Sequence, residues 1–338
     1  MSQKFLTFAE TECQGSSPLY NYLSIEISKD EELLNLCMQA RESQPLPNLL
    51  FGAVHYLLLK GTDHQLNDYY PSIVTNPKPY DQSFDSFQAF CRSYSQGILS
   101  ILKTRRVQTN DVRRCAYLYP VFCFIYKKAK KNLALIEIGT SAGLQLLWDK
   151  YAYSYGQHDV LGNKESRLEI PSEIVGDHRP ILCSTPPPVS TRVGLDLNVV
   201  DLTNADEKLW LKSLIWPEHK ERRLMFEKAS SYISDYPVHF VEGNGVELLY
   251  QQVENVPEDS VACIFHTHVA NQMTPDMKRN LLKTVESMGK ERDVCHIYNN
   301  IQDRYLHLDY YLNGVESKQT IAEIDGHGRW FKWLIDHD

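Results

Sequence analysis

The run Leu133-Ala134-Leu135-Ile136-Glu137-Ile138, followed at once by Gly139-Thr140-Ser141-Ala142-Gly143, constrains the fold more than any other stretch of this chain. Its length and composition are those of a buried strand, and a glycine directly after it lets the backbone turn sharply. The sequence then predicts a helix beginning near Ser141 or Ala142. Strand, turn and helix in that order form the first half of a parallel α/β unit.

Four more apolar runs of strand length follow: Arg192 to Leu197, Val238 to Val241, Val261 to Phe265 and Val294 to Tyr298. Helical stretches between them predict a largely parallel sheet. Leu312 to Ile324 and Arg329 to Ile335, joined through Gly326-His327-Gly328, predict a terminal antiparallel pair. Residues 151–190, with Pro186-Pro187-Pro188, are expected to bulge from the surface as an insertion.

Residues 1–130 read as a helical domain and 131–338 as the α/β domain. Glu31 to Arg41, Pro47 to Lys60 and Phe84 to Leu102 have helical spacing. A further helix should start at Thr109 or Asn110, and Pro120 should kink or split it. A chain of 338 residues is long enough for two such domains.

Composition narrows the function classes. A formal net charge of -8 opposes non-specific binding to nucleic acid or to an anionic membrane. No stretch reaches the ~20 apolar residues of a membrane helix, and the start lacks signal-peptide character, so a cytoplasmic location is expected. The eight cysteines contain no CxxC pair and are expected to be reduced and mostly buried.

The turn also discriminates between ligands. A dinucleotide fingerprint needs G-x-G-x-x-G, yet Ser141 stands where the second glycine belongs and Leu144 where the third does. S-adenosylmethionine (SAM) carries no phosphate. A turn, a helix start and an acid for its amine suffice, and Glu137, Gly139, Thr140, Ser141 and Gly143 provide that set. Asp196, at the end of the second strand with Leu197 after it, can accept ribose hydroxyls or cap its own turn. Gly243 and Asn244 follow the third strand, where Asn244 can meet an adenine edge or serve as a turn residue.

His266 and His268, beyond the fourth strand, share a face if the strand continues. They suit acid/base catalysis or substrate contact, a pair of metal ligands, or structural hydrogen bonding. Asn110 and Arg114, spaced i, i+4, project from one helical face, with Arg114 suited to a substrate carboxylate or phosphate or to a local acid. Asp149, Tyr153 and Tyr155 follow the turn helix, Asp149 and Tyr153 as candidate substrate contacts and the tyrosines equally as strand packing.

Four stretches carry a resemblance to a bacterial family, domain of unknown function 2332: Gln108 to Pro120, Leu133 to Gly156, Arg192 to Arg223 and Ile264 to Val269. The resemblance implies a class I SAM-dependent methyltransferase fold, Rossmann-like, without implying an established reaction. At Ser141 and Asn244 the chain departs from the wider methyltransferase pattern, which more often has glycine and aspartate. The expected function is SAM-dependent methylation of a small molecule. A non-catalytic SAM or nucleoside binder and a metal-dependent hydrolase using His266 and His268 are the alternatives.

Overall fold

Helices fill the beginning of the chain. The computed structural model describes residues 1–41, 44–109, 111–156 and 160–336. It divides into two compact units, Met1–Thr109 with Asn204–Leu224, and Asn110–Thr203 with Met225–Asp338. α1 (Ser2–Phe8), α2 (Pro18–Ile27), α3 (Glu31–Cys37), α4 (Leu46–Leu59), α5 (Phe84–Ser93) and α6 (Ser95–Thr104) belong to the first. The single helix expected over Phe84 to Leu102 is broken at Tyr94 (φ -112, ψ 21). Tyr20 stacks on Phe51 at 4.2 Å, with Phe8, Phe87 and Trp216 around them, so aromatic area supplies much of this unit's core.

α7 (Cys115–Ala129) opens the second unit and runs unbroken through Pro120. The expected split does not occur. A proline leaves the carbonyl four residues back without its amide partner, and here Tyr155 Oη donates to that carbonyl, Ala116 O, at 2.7 Å. Tyr155 lies on β2 (Ala152–Tyr155), which follows β1 (Asn132–Ile138); β3 (Leu161–Gly162), β4 (Glu169–Val175) and β5 (Val189–Asp196) come next. The expected surface excursion is therefore corrected: three strands arise within it, and Tyr151 and Tyr153 are fully buried.

After β5 the chain supplies α8 (Ala205–Ser213) to the first unit, then returns along α9 (Lys220–Ser230). β6 (His239–Glu242), α10 (Gly245–Glu254), β7 (Ser260–Phe265), α11 (Pro275–Gly289), β8 (Val294–Tyr298), β9 (Leu306–Leu312), β10 (Val315–Ile324) and β11 (Trp330–Trp333) complete the second unit. The sheet runs β3-β2-β4-β11-β10-β9-β8-β7-β1-β5-β6. Its segment β8-β7-β1-β5-β6 is wholly parallel, and β9 enters antiparallel beside β8. The fold is thus mixed α/β, with a large, mostly parallel sheet and many helices.

The register of β1 assigns its side chains. Ala134, Ile136 and Ile138 join Leu249, Val253, Leu281 and Val285 of α10 and α11 in one core, each large aliphatic side chain worth about 1.5–3 kcal/mol of burial. Glu137 faces the other way with Leu133 and Leu135. On the strand beside it, Phe265 pairs with Glu137 and packs edge-on against Phe122 of α7. An acid is thereby held in the sheet's interior.

Candidate functional site

Chain order and sheet order part company at β1: from there the sheet grows through β5 and β6 on one side and through β7 and β8 on the other. Such a reversal opens a crevice at the carboxyl ends of the two diverging strands.

Gly139 (φ 75), Ser141 (φ 52) and Gly143 (φ 72) give the β1 turn three left-handed residues in five. A Cβ on Gly139 would meet Val269 at 2.6 Å, and one on Gly143 would meet Phe240 at 2.8 Å, so glycine is required at both for space as well as for φ. The turn's amides are spent inside the protein. Gly139 N and Thr140 N donate to Leu195 O (2.7 and 3.2 Å), and Ser141 N donates to Asp196 Oδ2 at 2.8 Å. Beyond the turn, Leu144–Lys150 is a seven-residue 3₁₀ run with a non-helical residue at Leu147. It replaces the α-helix expected there. Leu144, Leu146, Leu147 and Trp148 are all buried, leaving this segment no polar face of the kind an amphipathic helix presents. The ligand end of the turn therefore owes little to a helix dipole.

Two acids converge on the turn. Burial pushes the Glu137 carboxyl up to about 8, opposed by the Thr140 hydroxyl, which donates to it at 2.7 Å; nearby Asp196 raises it further and Arg114 lowers it. Asp196 also accepts from Asn198 N at 2.9 Å. Leu197, next to it, is 62% exposed. Gly243 N donates to Asp196 O at 2.8 Å, which ties the third strand's turn to the second's. Asn244 caps α10: its Oδ1 accepts from Val246 N at 3.1 Å and its Nδ2 donates to Glu247 Oε1 at 2.7 Å.

Across the crevice the polar groups are differently placed. β7 ends at Phe265, so His266 and His268 do not lie on one strand face. His266 is fully buried, its ring 5.3 Å from that of His296, and no ring nitrogen of either has a hydrogen-bonding partner. Burial brings His266 down to about 3 and His296 well below its ordinary value. His268 (φ 65) donates its amide to Asn299 Oδ1 at 2.8 Å, while its Nε2 and Asn299 Nδ2 are buried without partners. Burial first, then the charges of Arg114 and His327, bring His268 to about 3. Both histidines are neutral and weakly basic.

Arg114 ends a short 3₁₀ turn, Val112–Arg114, capped by Asp111; Asn110, its expected partner on a helical face, lies outside the described residues. The buried guanidinium donates to Gly326 O (3.1 Å) and Thr267 Oγ1 (3.3 Å), and Thr267 donates onward to Gln145 Oε1 (3.1 Å). Asp149 and Tyr153 are in the interior with partners of their own. Asp149 Oδ2 pairs with Arg192 Nη2 (2.5 Å) and Lys150 Nζ (2.9 Å), and Tyr153 donates to Trp148 O at 2.5 Å while stacking on Tyr119.

One pair escaped the sequence reading. His327 Nδ1 lies 2.9 Å from Asp111 Oδ2; the aspartate side chain is 2% exposed and the histidine 42%. The two are 216 positions apart, and His327 reads locally only as the centre of a Gly-His-Gly turn. Gly326 packs beside the His268 ring, so the pair borders the crevice. A buried carboxylate on one ring nitrogen fixes the tautomer and leaves the other nitrogen to act as a base.

Elsewhere, a cavity of about 640 Å³ lies at the amino ends of β5 and β6, lined by Ser190, Arg192, His239, Gln252 and Asn255, at the opposite edge of the sheet from Asp196. Among the described residues no group of three or more His, Cys, Asp or Glu side chains is placed to hold a metal ion. Nor, among them, is any helix long and apolar enough to cross a membrane.

Searches of curated proteins and of solved structures returned no match. The family model described as "Uncharacterized protein conserved in bacteria (DUF2332)" matches residues 2–333, nearly the full length, and the chain belongs to that family.

Proposed function

We infer that this protein binds SAM at the carboxyl ends of β1, β5 and β6 and methylates a small molecule in the crevice between β1 and β7. The strand order β6-β5-β1-β7-β8, third-second-first-fourth-fifth among the parallel strands, is the doubly wound arrangement of Rossmann-like folds. One observation carries the reading. Asp196, 55 positions from Ser141, meets its amide at 2.8 Å, so the distant acid comes to the β1 turn as a ribose-binding acid must.

The residues present fit the group. Ser141 Oγ is buried at the turn without a partner, and two carboxylates flank it. Glu137 would hold the amine, Asp196 the ribose hydroxyls, and the exposed Leu197 the flat face of the base, with Gly243 and Asn244 at its edge. SAM, when bound, supplies an electrophilic methyl group. Arg114, with Thr267 and Gln145, would orient an acceptor. His327, held by Asp111, would take a proton from it, a task for which His266 and His268 are too weakly basic. The metal-dependent alternative finds no ligand set among the described residues.

Calorimetric titration of the full chain with SAM and with its demethylated product tests the reading. Sub-millimolar binding of either, weakened at least tenfold by Asp196→Ala, is expected. If neither ligand binds, or if Asp196→Ala leaves both affinities unchanged, the reading fails.

A further inference from the structure

Of the eight cysteines, seven are buried and Cys183 is half-buried. Cys183 sits in the irregular connection between β4 and β5 and hydrogen-bonds to α7. Its carbonyl accepts from Tyr119 Oη at 2.7 Å, and its amide donates to Cys123 Sγ at 3.4 Å. An N–Cα bond of about 1.5 Å then puts the Cα of Cys183 within about 5 Å of that sulfur. Both residues lie on the second unit, so the contact is internal to one folded body.

We propose that Cys123 and Cys183 form a reversible disulfide, with Cys183 as the residue that first reacts with a peroxide and Cys123 as the one that resolves it. The partition follows from their surroundings. Cys183 reaches solvent, and its neighbour Cys123, with the charge of Lys127 one turn further along α7, brings its thiol to about 7 despite partial burial. Burial holds Cys123 well above the ordinary thiol range. A thiol that ionises near neutrality and is accessible is the nucleophile; a buried protonated neighbour is not.

The chemistry balances with hydrogen peroxide as the oxidant. The Cys183 thiolate attacks one peroxide oxygen, the O–O bond breaks, and the leaving hydroxide takes up a proton to become water, leaving a sulfenic acid. Cys123 sulfur then attacks Cys183 sulfur; the S–O bond breaks, and the departing hydroxide takes the Cys123 proton as a second water. Two thiols are oxidised by two electrons and one peroxide is reduced. The product staples the β4–β5 connection to α7.

Reduced full-length protein treated with one equivalent of hydrogen peroxide at pH 7, then alkylated and digested without reductant, tests this. The expected result is loss of two of the eight thiols, a linked peptide pair containing Cys123 and Cys183 that dithiothreitol separates, and a melting temperature higher by roughly 5 °C or more. Cys123→Ser should stop the reaction at a dimedone-reactive sulfenic acid on Cys183, and Cys183→Ser should protect both positions. A folded protein that keeps all eight thiols, that links any other pair, or whose Cys123→Ser variant is labelled elsewhere overturns the proposal.

Discussion

The two sides of the crevice handle their polar groups in opposite ways. On the side of β1, β5 and β6, almost every polar group is answered within the protein: Thr140 by Glu137, Ser141 N and Asn198 N by Asp196, Val246 N by Asn244. On the side of β7 and β8, His266, His296, His268 Nε2 and Asn299 Nδ2 are buried without partners. A buried polar group left unpaired costs about 1–3 kcal/mol, so the second side carries a cost that most polar groups of the first side avoid, the buried Glu137 and the unpartnered Ser141 Oγ being the exceptions there. Sites that violate local rules in a fold that otherwise obeys them are where function is to be sought. On the proposed function, the first side is the rigid frame for a constant ligand and the second is the side for a variable acceptor.

The largest effect expected from this difference falls on turnover. Asp111→Asn keeps the shape of the pair but removes the charge that orients His327; if the proposed methyl transfer uses His327 as its base, turnover should fall by at least a hundredfold. SAM affinity, which the proposed function assigns to the other side, should stay within about twofold. A matching loss of SAM binding in calorimetry would dissolve the distinction between the two sides.

Gly139 is where the sides touch, since its missing Cβ makes room for Val269 of the β7 turn. Gly139→Ala adds a methyl at positive φ against that side chain and should cost about 2–3 kcal/mol in chemical denaturation. Val269→Ala should return part of this, because it removes the two Cγ contacts at 2.6 and 3.2 Å but leaves the Cβ contact at 2.7 Å and the backbone strain. Strict additivity of the two substitutions would mean that the sides are energetically separate. A smaller effect of opposite sign is expected opposite: His296→Phe, which removes two unpartnered nitrogens while filling similar volume, should raise stability by about 1 kcal/mol. A destabilisation would show that these nitrogens do have partners in solution.

How much of this was legible in the sequence depended on how local the causes were. Of the five parallel strands, β1, β7 and β8 read as apolar runs because a strand buried on both faces writes itself as a continuous hydrophobic segment, whereas β5 and the edge strand β6, only partly buried, show as shorter runs. The β10–β11 pair was announced by Gly326 and Gly328. β9 was missed: in Leu306-His307-Leu308-Asp309-Tyr310-Tyr311-Leu312 the polar residues are buried by stacking and pairing with Tyr298 and Asp303, which no local pattern reveals. The 3₁₀ run after Gly143 was missed because its departure from a helix follows from Val200 N taking Ser141 O at 3.1 Å, a contact made by a distant segment. In the candidate site, Glu137 and Asp196 can be proposed from sequence because each stands near the carboxyl end of a recognisable strand. Asp111 and His327 cannot, because their meaning is only the 2.9 Å between them.

Glu137 gives the finest test of the frame, because its burial and its expected ligand pull its proton in opposite directions. With the folded-state value at about 8 and the ordinary value at 4.5, the folded protein holds a proton at pH 7 that the unfolded chain has released. The sign follows: its contribution to stability is fully present below about pH 4.5 and is lost as pH rises through 8. Glu137→Gln should therefore match the wild type near pH 4.5 and exceed it by up to a few kcal/mol at pH 8 in chemical denaturation. An ammonium group arriving beside the carboxyl would favour the ionised form, so SAM binding at pH 7 should release up to one proton. Calorimetry in buffers of different ionisation enthalpy reads that proton directly, and Glu137→Gln should abolish its release. Binding without proton release in the wild type would leave Glu137 as a neutral hydrogen-bonding partner of Thr140, part of the self-satisfied frame and no part of the ligand's own contacts.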